Sequence, residues 1–184
     1  QTSLSTEGIY GVATAVMFSY VFLFIVFGNI LSKAGGMEFI MDAARALFGH
    51  LAGGPAKIAV VSSGLTGTVS GSAVANVMIT GTVTIPLMKR FGFKPYVAGA
   101  VEAVASSGGA LMPPVMGAAA FIMAEYLSVP YISVAKAALL PAILYYLALF
   151  FAVHFYAKKN RLQGISRNEL PNIWHVLKEK GYLF

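Results

Sequence analysis

The chain has 184 residues, 58% of them hydrophobic and only 11% charged, with a mean hydropathy of +0.75. A soluble domain carries about 25% charged residues, so this composition excludes one and points to an integral membrane protein. The net charge of +6 does not indicate nucleic acid, because the basic residues flank apolar segments or sit in the C-terminal tail; the absence of cysteine excludes thiol chemistry, disulfides and Cys-ligated metals.

From Ile9 to Leu31 there is no charge, and Phe18, Phe22, Phe24 and Phe27 make the segment bulky and apolar. It predicts a conventional spanning helix within residues 1–33, closed by Lys33 and Gly35-Gly36. No basic n-region or small-residue cleavage site marks a signal peptide, and the chain is expected to be a piece of something longer. Residues 35–52, within GMEFIMDAARALFGHLAGG, place Met37, Ile40, Ala44, Leu47, Phe48 and Leu51 on one helical face and Glu38, Asp42, Arg45 and His50 elsewhere. That period predicts an amphipathic interfacial helix ending at Gly53-Gly54-Pro55, with a short second span as the alternative.

Residues 55–90 carry no charge between Lys57 and Lys89 but are crowded with Gly, Ser and Thr. As one helix the uncharged run would be roughly 46 Å long, against a hydrocarbon core of about 30 Å. A re-entrant hairpin fits better, turning at Ser70-Gly71-Ser72 and returning to the side it entered from. Lys57 at one end and Lys89, Arg90 and Lys94 at the other place both ends in the cytoplasm. Irregular backbone at membrane depth is tolerated only where protein or a water-filled cavity surrounds it, so the tip is a candidate site.

Residues 94–128 are too long for one regular helix across the core, and Gly108-Gly109 followed by Pro113-Pro114 interrupts them. Two half-helices joined by an unwound stretch are expected, with a turn near Ser128-Val129-Pro130. A last spanning helix over 131–159, kinked at Pro141, returns to Lys158 and Lys159. Residues 160–184 predict a cytoplasmic loop and a second interfacial helix, with Leu170, Ile173, Trp174 and Leu177 on one side.

Two interrupted elements in one short chain form the pattern that secondary transporters use near the bilayer midplane. Half-helix N-termini face anionic groups there, while unwound carbonyls and side-chain oxygens ligate a cation. In the hairpin, Ser72, Asn76 and Thr80 share a face at spacing four. The competing explanation is that small polar residues merely let membrane helices pack closely. Glu102 is costly in a membrane, by about 2.5–3.5 kcal/mol on insertion scales, and shares a face with Ser106 and Gly109. It tunes a cation site, carries a proton, or pairs with a base such as Lys94; all three readings stay open. Glu125 is expected to reach water, and His50 and His154 lack metal-ligand spacing. No nucleophile elbow, HExxH or phosphate loop is present, so no enzyme is expected.

The stretch SGSAVANVMITGTVTIPLMKRFGFKPYVAGAVEAVASSGGALMPPVMGAAAFIMAEYL closely resembles the large membrane subunit of tripartite ATP-independent periplasmic (TRAP) transporters. The nearest likeness is to the long fused permeases that work with TAXI-type solute-binding proteins. SGSAVAN and GGALMPPVMGAAAFIMAE are its most specific parts, and the likeness extends over essentially the whole chain.

The resemblance implies an all-α, polytopic elevator transporter in the bacterial inner membrane. It is driven by sodium and built from two inverted repeats, each with a re-entrant hairpin and an interrupted helix. Its implied partners are a periplasmic solute-binding protein delivering an organic acid, a small membrane subunit or its fused equivalent, the second repeat, and the bilayer. Carried over by position, Ser70, Gly71, Ser72 and Asn76 would form the tip site, and Gly108, Gly109, Met112, Pro113 and Pro114 its unwound partner. Sodium, the coupling ion and the sole cofactor expected, would lie near Ser70, Ser72, Asn76 and Gly109. The second repeat is missing, so the chain alone is expected not to transport. Alternatives are a sodium-coupled di- or tricarboxylate symporter without a binding protein, and a non-transporting membrane scaffold.

Overall fold

The computed structural model describes residues 22–166 together with 11, 14, 15, 17, 18, 169–171 and 176. Its regular structure is entirely helical: α1 (Phe22–Lys33), α2 (Gly36–Phe48), α3 (Gly54–Ser70), α4 (Ala73–Arg90), α5 (Pro95–Ser107), a 3-10 turn (Gly108–Ala110), α6 (Ala118–Tyr126) and α7 (Tyr131–Lys159). The first half of the expected N-terminal span and most of the expected C-terminal interfacial helix lie outside the described residues.

Small residues decide how these helices meet. Ala56 and Ala59 of α3, Ala98 and Ala105 of α5, and Ala157 of α7 are wholly buried, together with Val60, Met88, Phe93 and Val153. With little side chain between them the backbones approach closely, and dispersion contacts hold the bundle where lipid supplies no hydrophobic driving force. The α3–α4 hairpin packs along its own length and then against α5, so α5 lies in the cleft of the hairpin.

Among the described residues one helix is long and apolar enough to cross a membrane, α7. Its 29 residues rise roughly 43 Å, more than the core thickness, and end on Lys158 and Lys159. It is one continuous helix through Pro141. Ile132, Leu140, Leu144, Phe151 and Phe155 are exposed, as a lipid-facing surface requires.

Helices α1 and α2 meet at 64° across the Gly35 turn. On α2 the buried residues are Gly36, Ile40 and Ala44. Met41 packs beside Ala44 against Ile58 and Ile165, whereas Leu47 is exposed. The apolar stripe is thus turned slightly from the face drawn from the sequence, because the hairpin contacts only part of it. Asp42 and Arg45 form an i,i+3 ion pair at 3.7 Å.

Candidate functional site: the hairpin tip and the break

The turn of the hairpin occupies a single residue. Helix α3 ends at Ser70, Gly71 adopts a left-handed conformation (φ 58°), and Ser72 is the extended N-cap of α4, its Oγ accepting from the Ala75 N–H at 3.3 Å. Glycine is required at 71 for two reasons. Its φ is unfavourable for other residues, and a Cβ there would collide with the Met116 carbonyl.

That collision identifies the neighbour of the tip, which is the interruption after α5. The 3-10 turn at Gly108–Ala110 and the irregular residues after it lie directly on α3 and α4. Gly67 meets Gly109 backbone to backbone, and a Cβ on Gly109 would stand 3.0 Å from both the Gly67 Cα and the Asn76 amide nitrogen. The Val115 N–H donates to the Thr68 carbonyl at 3.3 Å, and the Gly117 N–H donates to Ala110 at 2.9 Å, closing the loop on itself.

Asn76 is wholly buried at this junction. Its Nδ2 donates to the Ser63 carbonyl at 2.8 Å, but its Oδ1 has no partner, and neither does the buried Oγ of Ser70. A buried polar atom left unpaired costs about 1–3 kcal/mol, so both atoms stand out from the satisfied interior around them. Both are oxygens that a bare monovalent cation accepts.

The structure sets Gly109 against Asn76 and Gly67, Gly71 against Met116, and Gly108 against Tyr145, with Ser70 the last residue of α3 before the turn. Ser72 stands at the tip but is exposed, with its Oγ engaged in the cap. Met112 turns away, lining an apolar cavity of about 380 Å³ with Val60, Leu65, Tyr146 and Phe150. Pro113 and Pro114 lie on the outer limb of the loop, where the Tyr131 hydroxyl meets the Pro114 and Val115 carbonyls at 2.7 Å each.

Glu102 is also wholly buried, but its surroundings differ. Ser63 (3.2 Å), Thr80 (2.5 Å) and Ser106 (3.1 Å) donate to Oε1, and Thr84 donates to Oε2. The ion pair with Lys94 does not form. Lys94 is the exposed N-cap of α5, its ammonium over the Tyr96 ring at 5.9 Å, whereas Glu102 faces the hairpin two turns on. Among the described residues no cationic side chain pairs with the Glu102 carboxylate.

Lys57 is the other buried charge. Its ammonium donates to Nδ1 of His154 at 3.0 Å and lies 5.1 Å from the Phe150 ring centre, fastening the base of the hairpin to α7. As the acceptor, His154 Nδ1 must be unprotonated.

The family model for the DctM component of tripartite ATP-independent periplasmic transporters matches residues 2–184. The chain belongs to the DctM family. Among curated relatives, it is 29% identical over 150 residues to the C4-dicarboxylate TRAP transporter large permease protein DctM of Pseudomonas aeruginosa, covering 80% of this chain and 34% of that protein. It is 31% identical over 166 residues to the sialic acid TRAP transporter permease protein SiaT of Haemophilus influenzae, covering 84% and 26%. The isethionate TRAP transporter permease protein DctMQ of Oleidesulfovibrio alaskensis is 27% identical over 158 residues, covering 85% and 25%. The chain therefore spans a quarter to a third of the length of these curated relatives.

In this DctM chain several residues build the site without any sequence signal of their own. Tyr145 donates to the Val104 carbonyl at 2.6 Å and Tyr146 to the Ala105 carbonyl at 2.8 Å, tying α7 to the last turn of α5. Tyr131 does the same for the outer limb while stacking on Phe121, ring centres 4.2 Å apart. On sequence these tyrosines belong to an apolar span and read as part of its surface. Ser63 likewise lies 39 residues from the carboxylate it serves. Thr84 had a visible cue, as the next member of the Asn76, Thr80 series at spacing four.

Proposed function

We propose that this chain is the first-repeat half of a sodium-coupled TRAP permease in the bacterial inner membrane. It contributes one cation and substrate half-site to an elevator-type transport domain. The observation that carries the reading is the pair of unpartnered buried oxygens, Asn76 Oδ1 and Ser70 Oγ, at the meeting of a hairpin tip with an unwound helix. Sodium is the ion these atoms suit: hard neutral oxygens, with the break at Gly109 packed on Asn76. Beside them the N-terminus of α4 begins at the exposed Ser72, where amide hydrogens and the helix dipole favour a carboxylate.

The relatives' names supply the substrate class. They carry C4-dicarboxylates, sialic acid and isethionate in their titles, all organic anions. A periplasmic solute-binding protein and a small membrane subunit, or its fused equivalent, complete the proposed transporter.

The test is Asn76→Ala in the full-length permease, reconstituted with its binding protein and offered those three anions. Sodium-dependent uptake is expected to disappear while expression and membrane insertion are unchanged. Unaltered uptake and sodium dependence would overturn the assignment and favour a packing role for the tip.

A further inference from the structure

The carboxylate of Glu102 is buried with hydroxyls and no base. An ionised carboxylate offers only acceptors, and four hydroxyls converge on it: Ser63 from α3, Thr80 and Thr84 from α4, and Ser106 from its own helix. Two of these have a second acceptor in reach. The Thr84 hydroxyl also meets the Thr80 carbonyl at 2.9 Å, and the Thr80 hydroxyl meets the Asn76 carbonyl at 2.9 Å.

The network therefore closes in either protonation state. With Glu102 ionised, the threonines donate to it. With a proton on Oε2, the new O–H donates to the Thr84 hydroxyl oxygen, and the Thr84 proton turns to the Thr80 carbonyl. Protonation at Oε1 is accommodated in the same way through Thr80 and the Asn76 carbonyl. One O–H bond forms at the carboxyl as one breaks in the hydronium that delivers the proton, which leaves as water; the side chain goes from −1 to neutral, and no polar atom is stranded.

We propose that Glu102 is a proton-binding site of the transport half, coupled through Thr80 and Ser63 to the cation site at Asn76. The coupling part rests on the sodium reading of the tip. The Thr80 hydroxyl stands between two acceptors, the Asn76 backbone carbonyl and Glu102 Oε1, and donates to one or the other, while Asn76 Nδ2 holds the carbonyl of the same Ser63 whose hydroxyl meets the carboxylate. The geometry favours a proton over a second metal ion, because the hydroxyls already contact the carboxylate oxygens directly and leave no room between them.

An open cavity of about 360 Å³ between α2 and the hairpin reaches Thr80, with Glu38, Asp42 and Arg45 at its wall.

The other titratable and charged groups on the surrounding elements are accounted for. On α3, Lys57 is held by His154 of α7. Lys89 and Arg90 at the end of α4 and Lys94 before α5 are exposed. On α7, Tyr145 and Tyr146 donate to α5 carbonyls rather than to Glu102. On α2, Glu38, Asp42 and Arg45 line the cavity and are its titratable groups among the described residues.

The sign follows directly. A negative Glu102 favours a cation at the tip and a neutral one does not, so acidification weakens sodium binding, and by reciprocity sodium opposes protonation. The experiment uses the purified full-length permease and radioactive sodium as the probe, with saturation measured from mildly alkaline to mildly acid pH. The half-saturating sodium concentration is expected to rise about fivefold or more on acidification, a coupling of ordinary size. In Glu102→Gln that rise should vanish, and in Thr84→Ser it should persist.

Infrared difference spectra give a readout that does not depend on sodium. Acidification of the wild type should produce a protonated-carboxyl band that is absent in Glu102→Gln and displaced in Thr84→Val. If Glu102→Gln does not insert, the Thr84 pair decides: a band that appears in wild type and is unmoved in Thr84→Val sinks the proposal, as does no band at all. Saturable sodium binding that ignores pH removes the coupling alone. No saturable sodium binding in wild type removes the cation reading of the tip as well.

Discussion

Asn76 and Thr84 lie on one face of α4, eight residues or roughly 12 Å apart, yet the buried polar groups around them are arranged in opposite ways. At the tip, Asn76 Oδ1 and Ser70 Oγ have no partner. Around Glu102 every carboxylate oxygen is met, and the threonines even hold partners in reserve. An unfilled site stores unfavourable energy that a ligand can release, whereas a filled one fixes how three helices sit against each other. One helix therefore carries both buried polar atoms left unpaired and a network in which every carboxylate oxygen is met.

The contrast can be broken by separating transport from stability. The largest effect expected is on uptake, where Asn76→Ala should remove the sodium-dependent component altogether. Its thermal stability in sodium-free buffer should change by no more than about 1 kcal/mol, since one hydrogen bond and one unpaired acceptor leave together. At the frame, Glu102→Leu should lower unfolding stability by about 2–6 kcal/mol, because Ser63 and Ser106 lose their carboxylate acceptor at about 1–3 kcal/mol each while Thr80 and Thr84 fall back on backbone carbonyls. Denaturant titration of the solubilised full-length permease measures both.

Saturating sodium sharpens the comparison from the other side. At a hundred times its dissociation constant it should stabilise the wild type by about 2.7 kcal/mol, read as a shift in melting temperature, and Asn76→Ala should not respond. A melting temperature of Asn76→Ala that rises with sodium as the wild type does would break the distinction between the two regions. Smaller again, Thr84→Val should cost about 1.5–3 kcal/mol through one charge-assisted hydrogen bond. Smallest is Tyr146→Phe, about 1 kcal/mol, since only the bond to the Ala105 carbonyl is lost.

Local rules made much of the architecture legible. An uncharged run too long for one span, with Ser-Gly-Ser in its middle, places the turn at the residue where Gly71 turns left-handed. The glycines and prolines after α5 mark the break, since neither sustains a helix. What could not be read is whatever depends on distant residues meeting. Met112 is a break residue by sequence but faces an apolar cavity with α7, a choice set by packing. Glu102 invited a basic partner because an unpaired acid in lipid is costly. Its solution uses hydroxyls from Ser63, Thr80 and Thr84, as far as 39 residues away, and only the folded hairpin brings them together. The link between Lys57 and His154 spans 97 residues and has no sequence cue either.

The meeting of Gly67 with Gly109 sets a limit on how this site can diversify. Where two side chains touch, a lineage can enlarge one and shrink the other, and the pocket drifts. Here neither partner has a side chain to give up, and a methyl group on Gly67 strikes backbone. Volume cannot be traded across the contact, so substitution at this point is closed to compensation. Differences in what related permeases carry must be written into other surfaces, where side chains remain free to exchange.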